Sequence, residues 1–354
     1  MHSVSPLVSI VTPVYNNEEH LPECIESVLA QTYQNWDYTI VNNCSTDRSG
    51  EIAREYAAKY PRIRVHDNEK FVAAVPNHNL TLRQISPNSK YCKMVFADDW
   101  IYPRCIEEMV ALAEEQPSVG VVQAYGLWED IDRIPHEHIV AWGGLPYPSR
   151  FVSGRDICRR MFIGGLDHIF GTPTSVLYRS DLVRNQDPFY NEENLHADKE
   201  ACVVLLKKAD FGFVHQILTF TRGRPGSLNK MSVNMYLDIG CSLHTLVAHG
   251  KEFLTEEEYE ERLARHLVEY YNFLAVSLIR GRRDKIFWDF HKGKLNETLG
   301  FSRSRLARAT IARLFKGVLH PYETFGKLSQ KSRQPSGSGH VDTNKLRAHA
   351  NELR

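Results

Sequence analysis

The chain has 354 residues, of which 42% are hydrophobic and 24% are charged, as in an ordinary globular protein of about two domains. Its 43 lysines and arginines balance 43 aspartates and glutamates, so no net positive field attracts nucleic acid and we expect no nucleic-acid partner. No apolar run in the sequence is long enough to span a bilayer.

The N-terminal segment and the cysteines predict a cytoplasmic protein. The apolar segment Leu7–Val14 is interrupted by Pro13 and lacks the basic start and the small-residue cleavage site of a signal peptide. The seven cysteines are scattered, and none of them forms a Cys-x-x-Cys pair. This pattern predicts reduced, mostly buried thiols rather than a disulfide framework or a zinc site.

Strand and helix patterns alternate through residues 1–125. The predicted strands are Leu7–Val11, Tyr38–Val41, Ile63–Val65, Met94–Phe96 and Val119–Val122, and amphipathic segments lie between them. This alternation predicts an α/β protein with a doubly wound, mostly parallel, Rossmann-like sheet and right-handed crossovers.

The central predicted strand ends in Asp98, Asp99 and Trp100. In an open α/β sheet, ligands bind just beyond the carboxyl ends of the strands. Two adjacent carboxylates there suit a divalent cation that retains some of its water ligands and also binds the phosphate oxygens of a substrate diphosphate. The alternative is a solvated loop in which Asp99 caps the helix that follows.

The alternation fails after residue 125. Residues 126–150 are rich in glycine, proline and tryptophan and are predicted to form a loop. A helix is expected over Ser153–Phe162, and strands are expected over Ser175–Tyr178 and Phe211–Phe220. From Met235 onward the pattern is helical.

The C-terminal part is predicted to be a helical extension over residues 231–330, followed by a disordered polar tail over residues 331–354. Within residues 301–320, a basic segment has no acidic residue between Arg303 and Lys316. This segment either contacts an anionic membrane surface peripherally or is a solvated basic face packed on the rest of the protein.

Six short motifs occur in an order and spacing that are together highly specific. They are Val11–Asn16, Ser27–Tyr33, Ser45–Asp47, Phe96–Trp100, Ala197-Asp198 and Arg222–Ser227. On these motifs the chain resembles glycosyltransferase family 2, the inverting, sugar-nucleotide-dependent transferases with the GT-A fold. The resemblance covers residues 7–228. It implies a nucleotide-sugar-binding half in residues 1–125 and an acceptor-binding half in residues 126–230.

The resemblance implies several residues that bind the nucleotide. Pro13 and Tyr15 stand where the family holds the base, and the Tyr15 ring either stacks on the base or covers the sheet end. Asn43 stands where the family has an acid that accepts a hydrogen bond from the base imide, and an amide makes that bond weaker. Asn77 lies beside Pro76, which replaces an arginine of the family. The expected donor is a nucleoside-diphosphate sugar, with UDP as the preferred nucleotide.

The resemblance also implies a metal site for Mn²⁺ or Mg²⁺. Asp99 is the expected direct ligand, and Asp98 is expected to contact the ribose or a metal-bound water. Phe96 occupies the position of the first acid in the usual Asp-x-Asp motif. Arg222 and Arg224 lie on a basic loop and are expected to bind the diphosphate, because guanidinium groups fork onto phosphate oxygens.

Asp198 matches the catalytic base of the family, which takes the proton from the acceptor hydroxyl. The alternative role for Asp198 is the N-cap of the helix that follows, in which case Glu193 is the reserve base. The acceptor is expected to be a glycan, a lipid-linked sugar or a protein. Candidate acceptor-binding residues are Trp100, Trp142, Asp167 and His168.

Two other functions remain open on the sequence. A sugar-nucleotide pyrophosphorylase uses a similar sheet, but it needs a glycine-rich basic loop that the segment Thr12–Asn17 does not provide. A non-catalytic module that binds nucleotide sugars or glycans is favoured by Asn43 and Phe96. The acids Asp99 and Asp198 argue against such a module.

Overall fold

The computed structural model describes residues 5–129, 138–141, 145–164, 166, 169–223, 232 and 234–319, with the backbone alone for 138–141 and 316–319. The described residues divide into two units. The first ends before residue 228, and the second begins there. Both sequence-predicted halves, 1–125 and 126–230, therefore lie essentially in the first unit, and the predicted tail 331–354 lies outside the described residues.

The first unit is built on one sheet. Its strands are β1 Val8–Val14, β2 Trp36–Asn42, β3 Ile63–Asp67, β4 Tyr91–Met94, β5 Trp100–Ile101, β6 Val119–Glu129, β7 His138–Ala141, β8 Phe151–Val152, β9 Val176–Arg179 and β10 Asp210–Thr221. The strand order is β3-β2-β1-β4-β9-β6-β10-β5, with β7 beside β6 and β8 beside β10. Strands β3, β2, β1 and β4 are parallel, and β9 runs antiparallel to both β4 and β6. The predicted α/β class is confirmed.

The helices of the first unit are α1 Leu21–Leu29, α2 Ser49–Lys59, α3 Ala74–Leu82, α4 Cys105–Glu115, α5 Gly154–Ile163, α6 Ser180–Arg184 and α7 Ala197–Leu205. The sheet and these helices bury aliphatic side chains such as Ile10, Ile25, Ile40 and Ile106 in one core. Strand β1 is buried along its whole length, as expected for a central strand covered on both faces.

Two sequence predictions differ from the structure. The segment 126–150 was expected to be a loop, but β6 continues to Glu129 and pairs with β7. The long strand β10 runs beside β6 as far as Trp128, so the backbone there has hydrogen-bonding partners that composition does not reveal. Strand β1 was expected to end at Val11, before Thr12 and Pro13, but it reaches Val14. Because β4 pairs with β1 only as far as Val11, the proline has a neighbouring strand on one side only.

The second unit is helical, as predicted from residue 235 onward. Its helices are α8 Leu237–Phe253, α9 Glu256–Ile279, α10 Lys285–Thr298 and α11 Arg303–Leu319. Thr255 caps α9 in a capping box with Glu258, which satisfies backbone N–H groups at the start of the helix. Tyr270, Leu274, Phe287 and Leu295 are fully buried in a separate core. Within the described residues, no helix has the length and hydropathy needed to cross a bilayer.

None of the seven cysteines forms a disulfide bond. Six of them are buried, and Cys44 is half-buried. Burial raises the pKa of the Cys24 and Cys92 thiols to about 12, so both stay protonated at neutral pH. The prediction of reduced, mostly buried thiols agrees with this arrangement.

We predict that the stability of the second unit falls as the pH decreases from about 6.5 to 4. His291 Nε2 donates to the Met235 carbonyl oxygen at 2.9 Å, and in the neutral ring Nδ1 accepts from the Tyr270 hydroxyl at 2.7 Å. Burial lowers the pKa of His291 to about 4. The unfolded chain therefore binds a proton at a higher pH than the folded chain, and stability present above pH 6.5 is lost as the pH falls.

Urea unfolding at pH 7 and pH 5 measures this effect. His291→Gln should unfold more easily at pH 7 and should show a smaller difference between the two pH values than the unchanged protein. His66→Gln is the control, because His66 is exposed on β3. An unchanged pH dependence in His291→Gln would contradict the assignment.

Candidate active site

The loops that follow β1 and β3 bring two exposed aromatic side chains together. The Tyr15 and Phe71 ring centroids are 4.8 Å apart, and 47% and 56% of these side chains are exposed. The loops after β1 and β2 contain left-handed residues, Asn16 with φ 46° and Cys44 with φ 58°. The sequence analysis missed Phe71, although an aromatic residue in the loop after a predicted strand at this sheet edge could have indicated it.

Asn43 and Asn77 are joined by hydrogen bonds to a third asparagine, Asn68. The Asn68 Nδ2 group donates to Asn43 Oδ1 and to Asn77 Oδ1, both at 2.9 Å. Asn43 also accepts from the Val72 backbone N–H at 3.1 Å and donates to the Val72 carbonyl at 2.9 Å. Both lone pairs of the Asn43 oxygen are therefore in use. The amide holds the segment that carries Phe71, and it has no lone pair left for a base imide.

The two acids after β4 have different environments. Asp99 is 2% exposed, and its Oδ2 accepts from the Thr174 hydroxyl at 2.6 Å while its Oδ1 accepts from the Arg222 backbone N–H at 3.0 Å. Asp98 is half-buried, and its backbone carbonyl accepts from Arg222 Nε at 3.1 Å. Asp99 is thus fixed by two distant segments of the chain, whereas the Asp98 carboxylate is the more accessible of the pair.

A buried lysine holds Thr174, the residue that donates a hydrogen bond to Asp99. Lys93 on β4 is fully buried, and its Nζ donates to the Thr174 carbonyl at 2.5 Å and to the Val176 carbonyl at 3.3 Å. The Thr174 hydroxyl also accepts from the Phe96 backbone N–H at 3.1 Å. Burial lowers the pKa of the Lys93 ammonium, and the nearby Asp99 carboxylate counteracts that shift. Lys93 therefore holds the residue that orients Asp99.

Sequence analysis missed both of these supporting residues. A lysine inside a strand that is otherwise apolar was a signal for Lys93, because a buried ammonium needs hydrogen-bonding partners. No local signal identified Thr174, which lies in a short 3₁₀ turn, Pro173–Ser175, on the other side of the central strand.

The remaining residues predicted around the diphosphate and acceptor are only partly described. The Arg222 guanidinium forms an ion pair with Glu23 on α1 and lies 5.7 Å from the centre of the Phe220 ring. Trp100 stacks on Phe220 at 4.8 Å, so one face of the indole is already covered. Four predicted site residues lie outside the described residues, namely Arg224, Trp142, Asp167 and His168.

Asp198 is the second residue of α7, so it is not the N-cap. The cap position belongs to His196, whose side chain makes no capping hydrogen bond. Asp198 Oδ1 accepts from the Lys199 backbone N–H at 2.8 Å, and the side chain is half-buried. The neighbouring Glu200 is buried and accepts from Asn194 Nδ2 at 2.7 Å. Glu200 is thus held inside the protein, and Asp198 is the more accessible of these two acids.

Helix α3 connects the segment before α7 with the end of β4. Asn79 donates to the Tyr190 carbonyl at 2.9 Å and accepts from the Tyr190 N–H at 2.7 Å. The His78 ring lies 4.9 Å from the Phe96 ring and 6.2 Å from the Tyr190 ring. Burial lowers the pKa of His78 to about 4, so the ring is neutral at pH 7. These contacts link the Asp98–Asp99 turn to the segment that leads to Asp198.

A family model described as Glycosyl transferase family 2 matches residues 9–185, which is half of the chain. The chain belongs to this family. Its relatives include glycosyltransferase GlyA of Streptococcus pneumoniae serotype 4, 25% identical over 79% of this chain and 39% of GlyA. Glycosyltransferase GlyG of the same organism is 30% identical over 44% of this chain and 46% of GlyG. The matches thus span less than half of the length of these two relatives.

Solved glycosyltransferase structures share the fold. Residues 1–349 of S. aureus TarS in complex with UDP-GlcNAc superpose with a TM-score of 0.55 at 17% identity, covering 82% of this chain and 80% of that one. The mannosyltransferase PcManGT of Pyrobaculum calidifontis, in complex with GDP-Man and Mn²⁺, gives 0.53 at 12% identity, covering 91% and 84%. The first unit of this family 2 chain therefore has the GT-A fold.

The acids of this family 2 chain are compatible with a cation that substrate helps to bind. Among the described residues, no three histidine, cysteine, aspartate or glutamate side chains cluster so that they could hold a metal ion by themselves. Mg²⁺ and Mn²⁺ sites on nucleotide substrates need only one or two carboxylates, because phosphate oxygens and waters complete the coordination. Asp98, with Asp99 beside it, offers that donor set.

Proposed function

We propose that this chain is an inverting, metal-dependent glycosyltransferase. It would transfer a sugar from a nucleoside-diphosphate sugar to a hydroxyl group of a glycan, a lipid-linked sugar or a protein. The observation that carries the proposal is the pair Asp98 and Asp99 at the end of β4, linked through α3 to the segment before Asp198. A cytoplasmic location is proposed from the free thiols.

In the proposed reaction, the acceptor oxygen attacks the anomeric carbon as the bond to the diphosphate breaks. Asp198 would accept the acceptor proton, because its carboxylate is half-buried and is held in place by the Lys199 backbone N–H. Arg222 would bind the leaving diphosphate once its guanidinium exchanges Glu23 for phosphate oxygens. Arg224 is proposed to assist from the same loop.

Asp98 and Asp99 are the proposed residues that hold a divalent cation, Mn²⁺ or Mg²⁺. Such a cation supplies charge neutralisation for the departing diphosphate. Asp98 is half-buried and Asp99 is 2% exposed, which favours Asp98 as the ligand, whereas the family resemblance favours Asp99. Either assignment leaves the other acid to orient the site, and the choice between them stays a prediction.

The proposed nucleotide is UDP, which the related TarS structures contain. Pro13 lies near the end of β1 and Tyr15 directly follows the strand, where it offers an exposed ring for the base. Asn43 and Asn77 would act indirectly, because their amides hold the segment that places Phe71 against Tyr15. The base edge would then be read by backbone atoms of these loops rather than by the Asn43 side chain.

Sugar nucleotides with different bases test this function directly. The purified chain is incubated with UDP-, dTDP- and GDP-sugars with Mn²⁺ or with EDTA, and both the melting temperature and the released nucleotide are measured. We expect stabilisation and slow hydrolysis with a UDP-sugar in Mn²⁺, and neither with EDTA. Stabilisation without any release or transfer would favour the non-catalytic module. No response to any of the sugars would contradict the proposal.

Tyr15→Ala should weaken UDP binding roughly 5- to 150-fold, as expected for the loss of one base–aromatic stack worth about 1–3 kcal/mol. Phe71→Ala should weaken it less, because Phe71 supports the Tyr15 ring. Isothermal titration with UDP and Mn²⁺ measures both effects. Tyr147→Ala removes a more exposed ring elsewhere and is the control. Equal UDP affinity in Tyr15→Ala and the control would mean that Tyr15 only covers the sheet end.

A further inference from the structure

Helix α11 packs on the second unit through one of its faces. Leu306 and Ala309 contact the core around Tyr271 and Leu274. The helix start is anchored by the Tyr271 hydroxyl, which accepts from the Ser302 backbone N–H at 2.7 Å, and by Ser302 Oγ, which accepts from the Arg305 N–H at 3.2 Å. The orientation of α11 about its own axis is therefore set by these contacts.

A second face of α11 exposes apolar side chains. Ile311, Leu314 and Phe315 are 53%, 51% and 66% exposed, and we call them the apolar stripe. Residues three and four positions apart lie on the same side of a helix, so these three side chains form one continuous surface. Large apolar side chains exposed together usually mark a binding surface, whereas isolated ones do not.

Basic residues border the apolar stripe. Residues 303–319 contain four arginines and one lysine but no acid, in a chain whose net charge is zero. In a helical projection at 100° per residue, Arg303 falls at nearly the same angle as Leu314, and Arg308 at nearly the same angle as Phe315. The two arginines therefore lie toward the two edges of the stripe, at other turns of the helix. Within the described residues, neither arginine has an ion-pair partner. An apolar stripe edged by cations suits an anionic surface with an apolar layer beneath it.

The other possible occupants are disfavoured by charge. Residues 320–354, which follow α11, contain six lysines and arginines against three acids, so this tail does not complement a basic helix. A second copy docked on the same stripe by two-fold symmetry would bring the arginines of both copies together. Anionic lipid headgroups provide the opposite charge, and their acyl chains accept the apolar side chains.

We propose that α11 binds the surface of a membrane that contains anionic lipids, with Ile311, Leu314 and Phe315 inserted among the headgroups and Arg303 and Arg308 at the phosphates. The exposed apolar stripe favours the membrane alternative of the two that the sequence left open, because a helix that only packs on the protein through Leu306 and Ala309 has no need to expose these three side chains. This binding does not depend on the proposed transfer reaction, so either can fail without the other.

Vesicle sedimentation tests the proposal on the full chain. Vesicles of phosphatidylcholine alone are compared with equal mixtures of phosphatidylcholine and phosphatidylglycerol. We expect binding to the anionic vesicles only, weakened by added salt. Leu314→Ser with Phe315→Ser should weaken binding at least about tenfold, because both apolar contacts are lost. Ile286→Ser, which changes an exposed apolar residue on α10, is the matched control and should bind normally.

The charged edge is tested with Arg303→Gln and Arg308→Gln together, which should weaken binding about tenfold or more, given the contribution of each cation near an anionic surface. Arg48→Gln with Lys59→Gln removes the same charge from the first unit and should have little effect. Melting temperatures show that each variant is folded. Binding of the unchanged chain to neither vesicle would overturn the proposal. So would concentration-dependent dimers that the apolar-stripe variants abolish, because a second copy would then occupy the stripe.

Discussion

Asp198→Asn is expected to lower turnover by about a hundred- to ten-thousand-fold, the usual loss when a general base is removed. Donor affinity should stay the same, because the carboxylate acts on the acceptor. The asparagine oxygen can still accept the hydrogen bond from the Lys199 backbone N–H, so the start of α7 should be preserved. Turnover, the donor dissociation constant and the melting temperature of this one variant provide the test.

The structure sharpens this experiment because it removes one competing explanation. Asp198 is the second residue of α7, and the cap position belongs to His196, so a fall in activity cannot be attributed to a lost N-cap. Glu193→Gln is the matched control, since Glu193 is an exposed acid in the segment before the same helix. Normal turnover in Asp198→Asn together with a large loss in Glu193→Gln would transfer the base role to Glu193.

Asp98→Asn and Asp99→Asn should both abolish metal-dependent transfer, and they should differ in stability. Asp98 is half-buried, so its replacement should leave the melting temperature unchanged while Mn²⁺ no longer enhances donor binding. Asp99 accepts hydrogen bonds on both oxygens. An asparagine would turn its NH₂ group toward one of those two donors, which costs about 1–3 kcal/mol for an unsatisfied buried group. Asp99→Asn should therefore also lower the melting temperature.

Two titrations separate metal binding from site orientation. Donor binding is measured against Mn²⁺ concentration for both variants, and Thr174→Val is included because it removes the hydroxyl that orients Asp99 but leaves the acids in place. If Asp98 is the main ligand, Asp98→Asn should lose the Mn²⁺ effect completely and Thr174→Val should retain a weakened one. Full transfer activity in EDTA by the unchanged chain would end the metal assignment for both acids.

Several features of the fold and the site could be predicted from sequence because they are local. The alternation of apolar strand and amphipathic helix through residue 125 predicted the α/β sheet, since each pattern follows from the geometry of its own segment. The acids Asp98 and Asp99 were placed at a strand end for the same reason. The prediction for the end of β4 was less accurate, since the strand was expected to reach Phe96 but stops at Met94. The Phe96 backbone N–H bonds to the Thr174 side chain instead of to a neighbouring strand.

The sequence by itself determined the family, the sheet class, the positions of the acids at a strand end and a helix start, and the helical second unit. Only the tertiary structure decided what surrounds those acids. Asp99 is oriented by Thr174 and Arg222, which are 75 and 123 residues away, and Asn43 is engaged by Val72. Such contacts depend on strand order and loop packing, because the insertion of β9 beside β4 brings Thr174 to this edge. The order of the strands in the sheet cannot be inferred from composition or from hydrophobic periodicity, because both are properties of single segments.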